Sequence, residues 1–103
     1  MYAAVTRATG ANPDDMAEIA VMVGETMAAW LAEIDGFRGL LMLTDEGTGT
    51  VQVVALWDTK EIAERHRAAR TRLRDRVSAT VEVEVQETAG WDVPYTYLPD
   101  QAV

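Results

Sequence analysis

Four short apolar or alternating runs along the chain predict β-strands. The runs Phe37–Leu43 and Val51–Trp57 are both apolar, and a polar, glycine-containing break separates them. That arrangement is typical of two strands joined by a wide turn. Tyr2–Arg7 is shorter and weakly apolar, and it predicts a first strand. Thr80–Thr88 alternates strictly, with three valines on one side, and therefore predicts a fourth strand.

A first helix is predicted between the first two strands. Its apolar residues recur at steps of three, four and one, so they lie on a single face of the helix. They are Met16, Ile19, Ala20, Val23, Met27, Trp30, Leu31 and Ile34. Asn12 is a suitable N-cap and Pro13 suits the first helical position, so we expect the helix to begin there. It is expected to run to about Ile34, with Gly36 as its stop signal.

A second helix is predicted after the third strand. Asp58 or Thr59 would open it, and Glu61 is placed to complete a capping box on Asp58. Its inner stripe recurs at steps of four and three through Ile62, His66, Ala69, Leu73 and Val77. The arginines around that stripe are expected to lie on the solvent side. Glu64 is placed to pair with Arg67 on this surface.

The element order β-α-β-β-α-β predicts the fold. It is the ferredoxin-like arrangement of an α+β protein, in which both helices cover one face of a four-stranded antiparallel sheet. We expect this domain to span residues 1–88, followed by an aromatic C-terminal arm over residues 89–103. Strands two and three look apolar on both faces. A second copy packed against the free sheet face would cover it, so a homodimer is expected.

Composition and charge narrow the classes of function. A chain of 103 residues fits one domain. It has no Cys, which excludes disulfides, thiolate catalysis and Cys-based metal sites. The sequence has no signal-peptide pattern and no apolar run of membrane-spanning length, so we expect a cytoplasmic protein and no membrane partner. The net charge of −8 argues against nucleic-acid binding.

Basic residues are nevertheless concentrated in one segment. Of the nine Lys and Arg residues, seven lie between Lys60 and Arg76. A solvated helix face and a surface for an acidic partner both fit this cluster. Phosphate-binding loops, zinc-ligand spacings and nucleophile elbows do not occur, so no metal site is predicted.

Two short motifs carry a resemblance to a known family. Gly36-Phe37-Arg38-Gly39 after the first helix, and Val51–Trp57 followed by Asp58-Thr59-Lys60-Glu61, resemble antibiotic biosynthesis monooxygenase-like domains. The resemblance covers about residues 2–88 and implies a dimeric α+β barrel. That superfamily includes cofactor-independent oxygenases of polyketide quinones, quinol oxygenases, haem-degrading enzymes and members without assigned activity. Fold membership alone therefore does not identify the chemistry.

The resemblance also indicates which branch of the superfamily this sequence fits. In the haem-degrading branch a catalytic Trp lies nine residues after the strand-three Trp, and here that position is His66. The haem-ligating His further along the helix has no counterpart, so haem degradation is not expected. The cofactor-free oxygenases use polar groups, including Asn and Trp, to steady a deprotonated substrate. Trp57 matches this pattern, whereas Asn12, the only Asn, is expected to cap a helix.

Five residues are candidates for the site. His66, the only histidine, would act as a general base or proton relay, or else be a core histidine. Trp57 and Trp30 would stack on an aromatic substrate or belong to the core. Met27 would line an adaptable apolar pocket or fill the core. Arg38 would hold an anionic oxygen if it faces the cavity, or else be an exposed edge residue.

Glu82 and Glu84 share one face of the predicted fourth strand. Buried together they would share a proton and act as an acid or base, whereas on an edge strand they would deter aggregation.

The sequence thus predicts a small-molecule enzyme, with two alternatives left open. The first hypothesis is a cofactor-independent monooxygenase that acts on an aromatic or polyketide-type compound in a pocket between sheet and helices, without metal or flavin. Trp57 and Trp30 would enclose the substrate, and His66 would move a proton. The alternatives are a non-catalytic ligand-binding domain and a homodimerisation domain of the same fold.

Overall fold

The predicted fold is confirmed by the computed structural model, which describes residues 1–81 and 83–99. Seven elements follow one another along the chain: β1 (Tyr2–Thr9), α1 (Met16–Leu31), β2 (Phe37–Asp45), β3 (Thr50–Trp57), α2 (Lys60–Arg65), α3 (Arg67–Val81) and β4 (Glu84–Asp92). The four strands form one sheet in the order β2-β3-β1-β4, and every neighbouring pair is antiparallel. This is the ferredoxin-like α+β arrangement, with the second helix divided in two at His66.

The start of α1 lies three residues later than the sequence predicted, at Met16 rather than Pro13. Asn12 does not cap the helix, because its side-chain oxygen accepts a hydrogen bond from the Asp14 N–H at 3.1 Å and closes a local turn. Asp15 occupies the N-cap position without making a side-chain cap bond. The helix ends at Leu31, and Gly36 beyond it has a φ of 93°, a left-handed conformation that favours glycine.

The helical segment after β3 begins at one of the two predicted positions, but it is divided in a way that the sequence did not indicate. Thr59 is its N-cap and accepts a hydrogen bond from the Ile62 N–H at 3.2 Å. The predicted capping box on Asp58 was wrong, because the Asp58 carboxylate pairs with Arg38 on β2. His66 interrupts the helix with a φ of −101° and a ψ of 11°.

The fourth strand was predicted too early in the chain. Thr80 is still helical, and its hydroxyl donates to the Arg76 carbonyl at 3.0 Å. β4 runs from Glu84 to Asp92, so residues 89–92, which were predicted as part of an arm, form its second half. β4 pairs with β1 along its length, with an irregularity between Arg7 and Ala8. Beyond it, the Val93 N–H donates to the Met1 carbonyl at 2.9 Å.

The core lies at the end of the sheet where β3 enters α2. Trp57 and Ala63 are fully buried, and Leu31 is nearly so. The Phe37 ring meets the Trp57 indole edge-on, with 5.5 Å between ring centroids. These contacts join the helices to the sheet through one cluster.

The opposite face of the sheet is apolar and open in the single chain. Leu41 and Leu43 on β2 are each 46% exposed, and Trp91 on β4 is 60% exposed. The two-sided burial that the sequence predicted for β2 is therefore absent from the single chain. Among the described helices, none is long and apolar enough to cross a membrane.

Candidate functional site

A cavity of about 630 Å³ lies between the helix-facing side of the sheet and helices α1 and α3. This volume falls within the range of roughly 300–1,000 Å³ that is typical of small-molecule sites. Much of its wall is apolar, supplied by Met16, Ile19, Val23, Met27, Val53 and Ala55. Small residues on β1, Ala4 and Ala8, leave room on the floor.

Arg70 on α3 brings a positive charge into this apolar wall. Its guanidinium carbon lies 5.3 Å from the centre of the buried Trp57 ring, and Nη2 donates to the Ala63 carbonyl at 2.6 Å. Burial lowers the pKa of Arg70, and the neighbouring positive charge of Arg67 lowers it further, whereas Glu64 acts in the opposite direction. The guanidinium still stays charged near neutral pH, because an Arg begins from a very high pKa.

The other arginines in the wall are already paired. Arg67 lies 3.3 Å from Glu64, which confirms the pairing predicted from their spacing. Arg74 forms an ion pair with Asp75 at 2.9 Å and donates to the Thr88 hydroxyl at 3.0 Å. Arg70 takes part in none of the ion pairs between described residues, and its buried Nε has no hydrogen-bond partner among them. Because Nε is shielded from the cavity, an anionic ligand would bind Arg70 through the rest of its guanidinium.

Tyr2 enters the same wall from β1 through a glycine on the neighbouring strand. Its ring lies across Gly90, where a Cβ would overlap the phenol oxygen. Tyr2 also acts on the pKa of Arg70, in the raising direction, against the larger effect of burial. The phenol and the guanidinium thus form a polar corner at one end of the cavity.

Asp15 lies in the wall near the start of α1, toward the other end of the cavity. It is half-buried, and its Oδ1 is buried without a hydrogen-bond partner among the described residues. The cavity wall therefore holds the Asp15 carboxylate as well as the guanidinium of Arg70, and both apolar and polar side chains, among them Arg74 and Ser78, line the rest of it.

The predicted site residues do not all meet in this cavity. Of the five, Met27 is the one that lies among the described residues of the wall. Trp57 is buried beneath Arg70, and the His66 ring lies nearly parallel to it, with 6.3 Å between ring centroids. Trp30 is 38% exposed, and Arg38 pairs with Asp58 outside the cavity. The substrate and proton-transfer roles of these residues stay predictions.

The predicted carboxylate pair lies only partly within the described residues and stays a prediction. Glu82 lies outside the described residues, and Glu84 is exposed at the start of β4, opposite Thr9. Over residues 1–81 and 83–99, no group of three or more His, Cys, Asp or Glu side chains is placed to hold a metal ion.

Sequence reasoning missed Arg70 and Arg74 because it placed all the arginines of this helix on the solvent side. The structure corrects this, since both residues are only partly exposed and both line the cavity. A signal was present in the sequence. Arg67, Arg70 and Arg74 are spaced three and four residues apart and continue to Val77, which places all of them on one helical face.

Comparison with known proteins supports the fold. No protein-family model matches the chain, and no curated protein matches it in sequence. Solved structures do match. A monooxygenase from the gene ActVA-Orf6 of Streptomyces coelicolor, solved with the ligand nanaomycin D, has a TM-score of 0.72 and 15% identity over 96% of this chain and 92% of its own.

Two further solved structures agree. A single-residue variant of SnoaB, a cofactor-independent oxygenase from Streptomyces nogalater, has a TM-score of 0.67 and 21% identity over 96% of this chain and 97% of its own. A protein from Deinococcus radiodurans, proposed to be an antibiotic biosynthesis monooxygenase, has a TM-score of 0.64 and 13% identity over 98% of this chain and 100% of its own. The present chain has the fold of the antibiotic biosynthesis monooxygenase-like proteins.

Proposed function

We propose that this chain is a cofactor-independent monooxygenase that oxidises a hydroxylated aromatic compound, of the polyketide type, in the cavity between sheet and helices. The similarity to SnoaB and to the ActVA-Orf6 monooxygenase supports this class of reaction. The cavity volume of about 630 Å³ suits a molecule of two or three fused rings.

The observation that carries the proposal is the Arg70 guanidinium, which lies in the largely apolar wall of the cavity and has no ion-pair partner among the described residues. A positive charge in such surroundings binds an oxyanion more strongly than it would in water. Arg70 therefore lowers the pKa of a bound aromatic hydroxyl and raises the fraction present as phenolate. The contacts with Trp57 and with the Ala63 carbonyl hold the guanidinium in place before the substrate arrives.

Ionisation prepares the substrate to react with O₂. The phenolate charge spreads into the ring, and the ring carbon opposite the oxygen becomes electron-rich. With 1-naphthol, one molecule of substrate and one of O₂ give one 1,4-naphthoquinone and one water. One oxygen atom of O₂ forms the new carbonyl, and the other leaves as water with the ring hydrogen and the hydroxyl hydrogen. The ring supplies all the electrons, so the balance requires no other reductant.

The predicted tryptophans and histidine take more distant parts in this proposal. Trp57 supports Arg70 through its ring face, because the indole is buried beneath the guanidinium. His66 is stacked on the same indole outside the described wall, so we expect it to support Trp57, and its role as a proton relay stays a prediction. A ligand-binding domain without chemistry is the alternative, and it predicts the same cavity and no consumption of O₂.

The function is tested by O₂ uptake with 1-naphthol as the probe. We expect uptake and quinone absorbance to rise together, at one O₂ per quinone, and to persist after treatment of the protein with a chelator. Arg70→Gln should lower the rate by roughly 10²-fold, the scale of a lost oxyanion contact. Arg72→Gln, an exposed residue of the same helix, is the matched control and should not change the rate. Binding of 1-naphthol without O₂ uptake above the protein-free background would contradict catalysis.

We also propose that a second copy of the chain covers the open sheet face. The exposed apolar side chains of Leu41, Leu43 and Trp91 support this, because soluble monomers rarely leave such a surface uncovered. The cavity lies on the other face of the sheet. Dimer formation would therefore stabilise the sheet without closing the site.

A further inference from the structure

The cavity wall contains a second polar pair, which the proposed oxidation has not used. The hydroxyl of Thr88 on β4 accepts a hydrogen bond of 3.0 Å from Arg74 on α3, and both residues line the cavity. Arg74 also forms an ion pair with Asp75 at 2.9 Å, so its charge is already compensated. Unlike Arg70, this pair is therefore better suited to a neutral oxygen than to an oxyanion.

The Thr88 hydroxyl has a hydrogen available for a ligand. A hydroxyl can accept two hydrogen bonds and donate one. Arg74 occupies one acceptor position, and the Thr88 hydroxyl donates to no acceptor among the described residues. A hydroxyl that accepts from a charged donor is polarised, so it donates more strongly. Because Thr88 is exposed and lines the cavity, a molecule in the cavity can reach this hydroxyl.

The strand register indicates how far Thr88 lies from Arg70. Arg70 lies over the Trp57 ring, and Trp57 is the register partner of Tyr2 on β1. Thr88 is the register partner of Thr6 on the same strand. Thr6 follows Tyr2 by four residues, so the two lie on the same face of β1, about 13 Å apart. The Arg70 guanidinium and the Thr88 hydroxyl are therefore on the order of 10–13 Å apart.

The floor between these two positions has small side chains. Ala4 lies between Tyr2 and Thr6 on β1, and its register partner on β3 is Ala55. Both alanines line the cavity, and they leave room for a flat ring. In a six-membered ring with two oxygens para to each other, the oxygens lie about 5.5 Å apart, and two hydrogen bonds of about 2.8 Å extend this to about 11 Å. One such ring therefore spans the distance from Arg70 to Thr88.

We infer that Thr88, held in place by Arg74, donates a hydrogen bond to the ligand oxygen that lies para to the oxyanion on Arg70. The position of the oxyanion rests on the proposed function. Thr88 contacts the ligand, and Arg74 is a positioning residue that acts through it. The cavity therefore recognises a para-dioxygenated ring and directs oxidation to the ring carbon opposite the oxyanion.

In the proposed oxidation, this second oxygen is the one that O₂ supplies. The ionised ring forms a new carbon–oxygen bond to O₂ at the carbon opposite the oxyanion, which gives a peroxide anion. The oxygen–oxygen bond then breaks, the ring hydrogen moves to the outer oxygen as a proton, and hydroxide leaves. Hydroxide takes up the proton that the naphthol released on ionisation, which gives the water of the overall reaction. Thr88 donates to the inner oxygen as it becomes a carbonyl.

The test compares 4-methoxy-1-naphthol with 4-ethyl-1-naphthol, a probe of similar size that lacks the acceptor oxygen para to the hydroxyl. Titration calorimetry without O₂ gives both affinities, and the affinity of the methoxy probe is divided by that of the ethyl probe. We expect Thr88→Val to lower this ratio about fivefold, which corresponds to about 1 kcal/mol. Thr88→Ser keeps the hydroxyl and should keep the ratio. Thr44→Val, at an exposed strand residue outside the described wall, is the matched control and should also keep it.

The positioning role of Arg74 is tested with the same ratio. Arg74→Met removes the guanidinium that holds Thr88, so it should lower the ratio in the unsubstituted protein. It should have no further effect on the ratio in the Thr88→Val variant, because the group through which it acts is then missing. An effect of Arg74→Met that persists in the Thr88→Val variant would contradict this role.

Any of three results would overturn the inference. The first is a ratio that Thr88→Val leaves unchanged while thermal unfolding shows that the variant folds. The second is a fall in the ratio with Thr6→Val and not with Thr88→Val. The third is the absence of binding by both probes. The outcome is separate from that of the proposed oxidation: a fivefold fall without O₂ uptake on 1-naphthol would support the Thr88 contact and contradict the oxygenase.

Discussion

The Tyr2 phenol ring lies across the backbone of Gly90, in space that any larger side chain at residue 90 would occupy. The two residues belong to neighbouring strands, β1 and β4, and a glycine often marks a place where another group approaches the backbone closely. The missing Cβ lets the ring lie flat and brings the phenol into the cavity wall beside Arg70. Because Gly90 has no side chain, the Tyr2 phenol can occupy this position in the site.

Gly90→Ala is therefore expected to displace the Tyr2 ring. The added methyl group overlaps the phenol, and an overpacked position of this kind typically costs about 1–3 kcal/mol in the free energy of unfolding. Chemical denaturation measures this loss. Gly47→Ala is the control, because its Cβ would lie 3.4 Å from the nearest atom, an Asp45 carboxylate oxygen at an exposed turn. Equal stability of both variants would mean that the Tyr2 ring moves aside without cost.

Trp57 packs in the core and against Arg70, so the size of its side chain should contribute more to stability than its N–H group does. The side chain is fully buried, and its Nε1 has no hydrogen-bond partner among the described residues. We expect Trp57→Ala to lower the free energy of unfolding by about 3–5 kcal/mol, as large aromatic truncations do. Trp57→Phe keeps an aromatic face and loses no satisfied hydrogen bond, so urea denaturation should show a smaller loss. Similar losses for the two variants would contradict this account of the packing.

His66→Ala separates a structural role from a role in proton transfer. The ring stacks on Trp57 at the junction of α2 and α3, outside the described wall of the cavity. If His66 is purely structural, the His66→Ala variant should be less stable and should keep the pH–rate profile of the unsubstituted protein for 1-naphthol oxidation. If His66 is a proton relay, the variant should keep its stability and lose turnover across the whole pH range. From the geometry we expect a loss of roughly 1 kcal/mol in stability, a typical value for a point substitution, and a rate within a few-fold of the original.

The dimer is tested on the open sheet face. Leu43→Lys places a charge among apolar side chains that a second copy would bury, so the dimer should dissociate. Sedimentation velocity should then give the mass of one chain, where the unsubstituted protein gives that of two. Val21→Lys changes an exposed apolar residue on α1, away from that face, and should leave the dimer intact. A monomeric unsubstituted protein would contradict the proposed dimer.

The sequence was most informative where local pattern and tertiary structure agree. β2 and β3 occur where their apolar runs predict them, because both runs are short and bounded by turn signals. β4 was misplaced because the alternating valines begin before α3 has ended. There, hydrogen bonding along α3 prevailed over a strand pattern that extends past Thr80. Local periodicity does not reveal how far a packed helix continues.

The site was less predictable for a different reason. The helix is interrupted at His66, whose ring stacks on Trp57, and no local sequence pattern indicates this interruption. Beyond it, the face of α3 that reaches the cavity includes Arg70 and Arg74 beside the expected apolar residues Leu73 and Val77. An arginine with a long apolar stem can line a cavity while its head remains polar. The residue type alone therefore did not separate a solvated charge from a charge in the site.

The most direct test of the account is the ultraviolet absorbance of 1-naphthol bound to the protein without O₂ at pH 7. An ionised naphthol absorbs at longer wavelength than the neutral form, so the spectrum reports the charge of the bound oxygen. We predict a naphtholate spectrum with the unsubstituted protein and with Arg72→Gln, and a neutral spectrum with Arg70→Gln. A neutral spectrum with the unsubstituted protein, at saturating ligand, would contradict the claim that Arg70 holds an oxyanion.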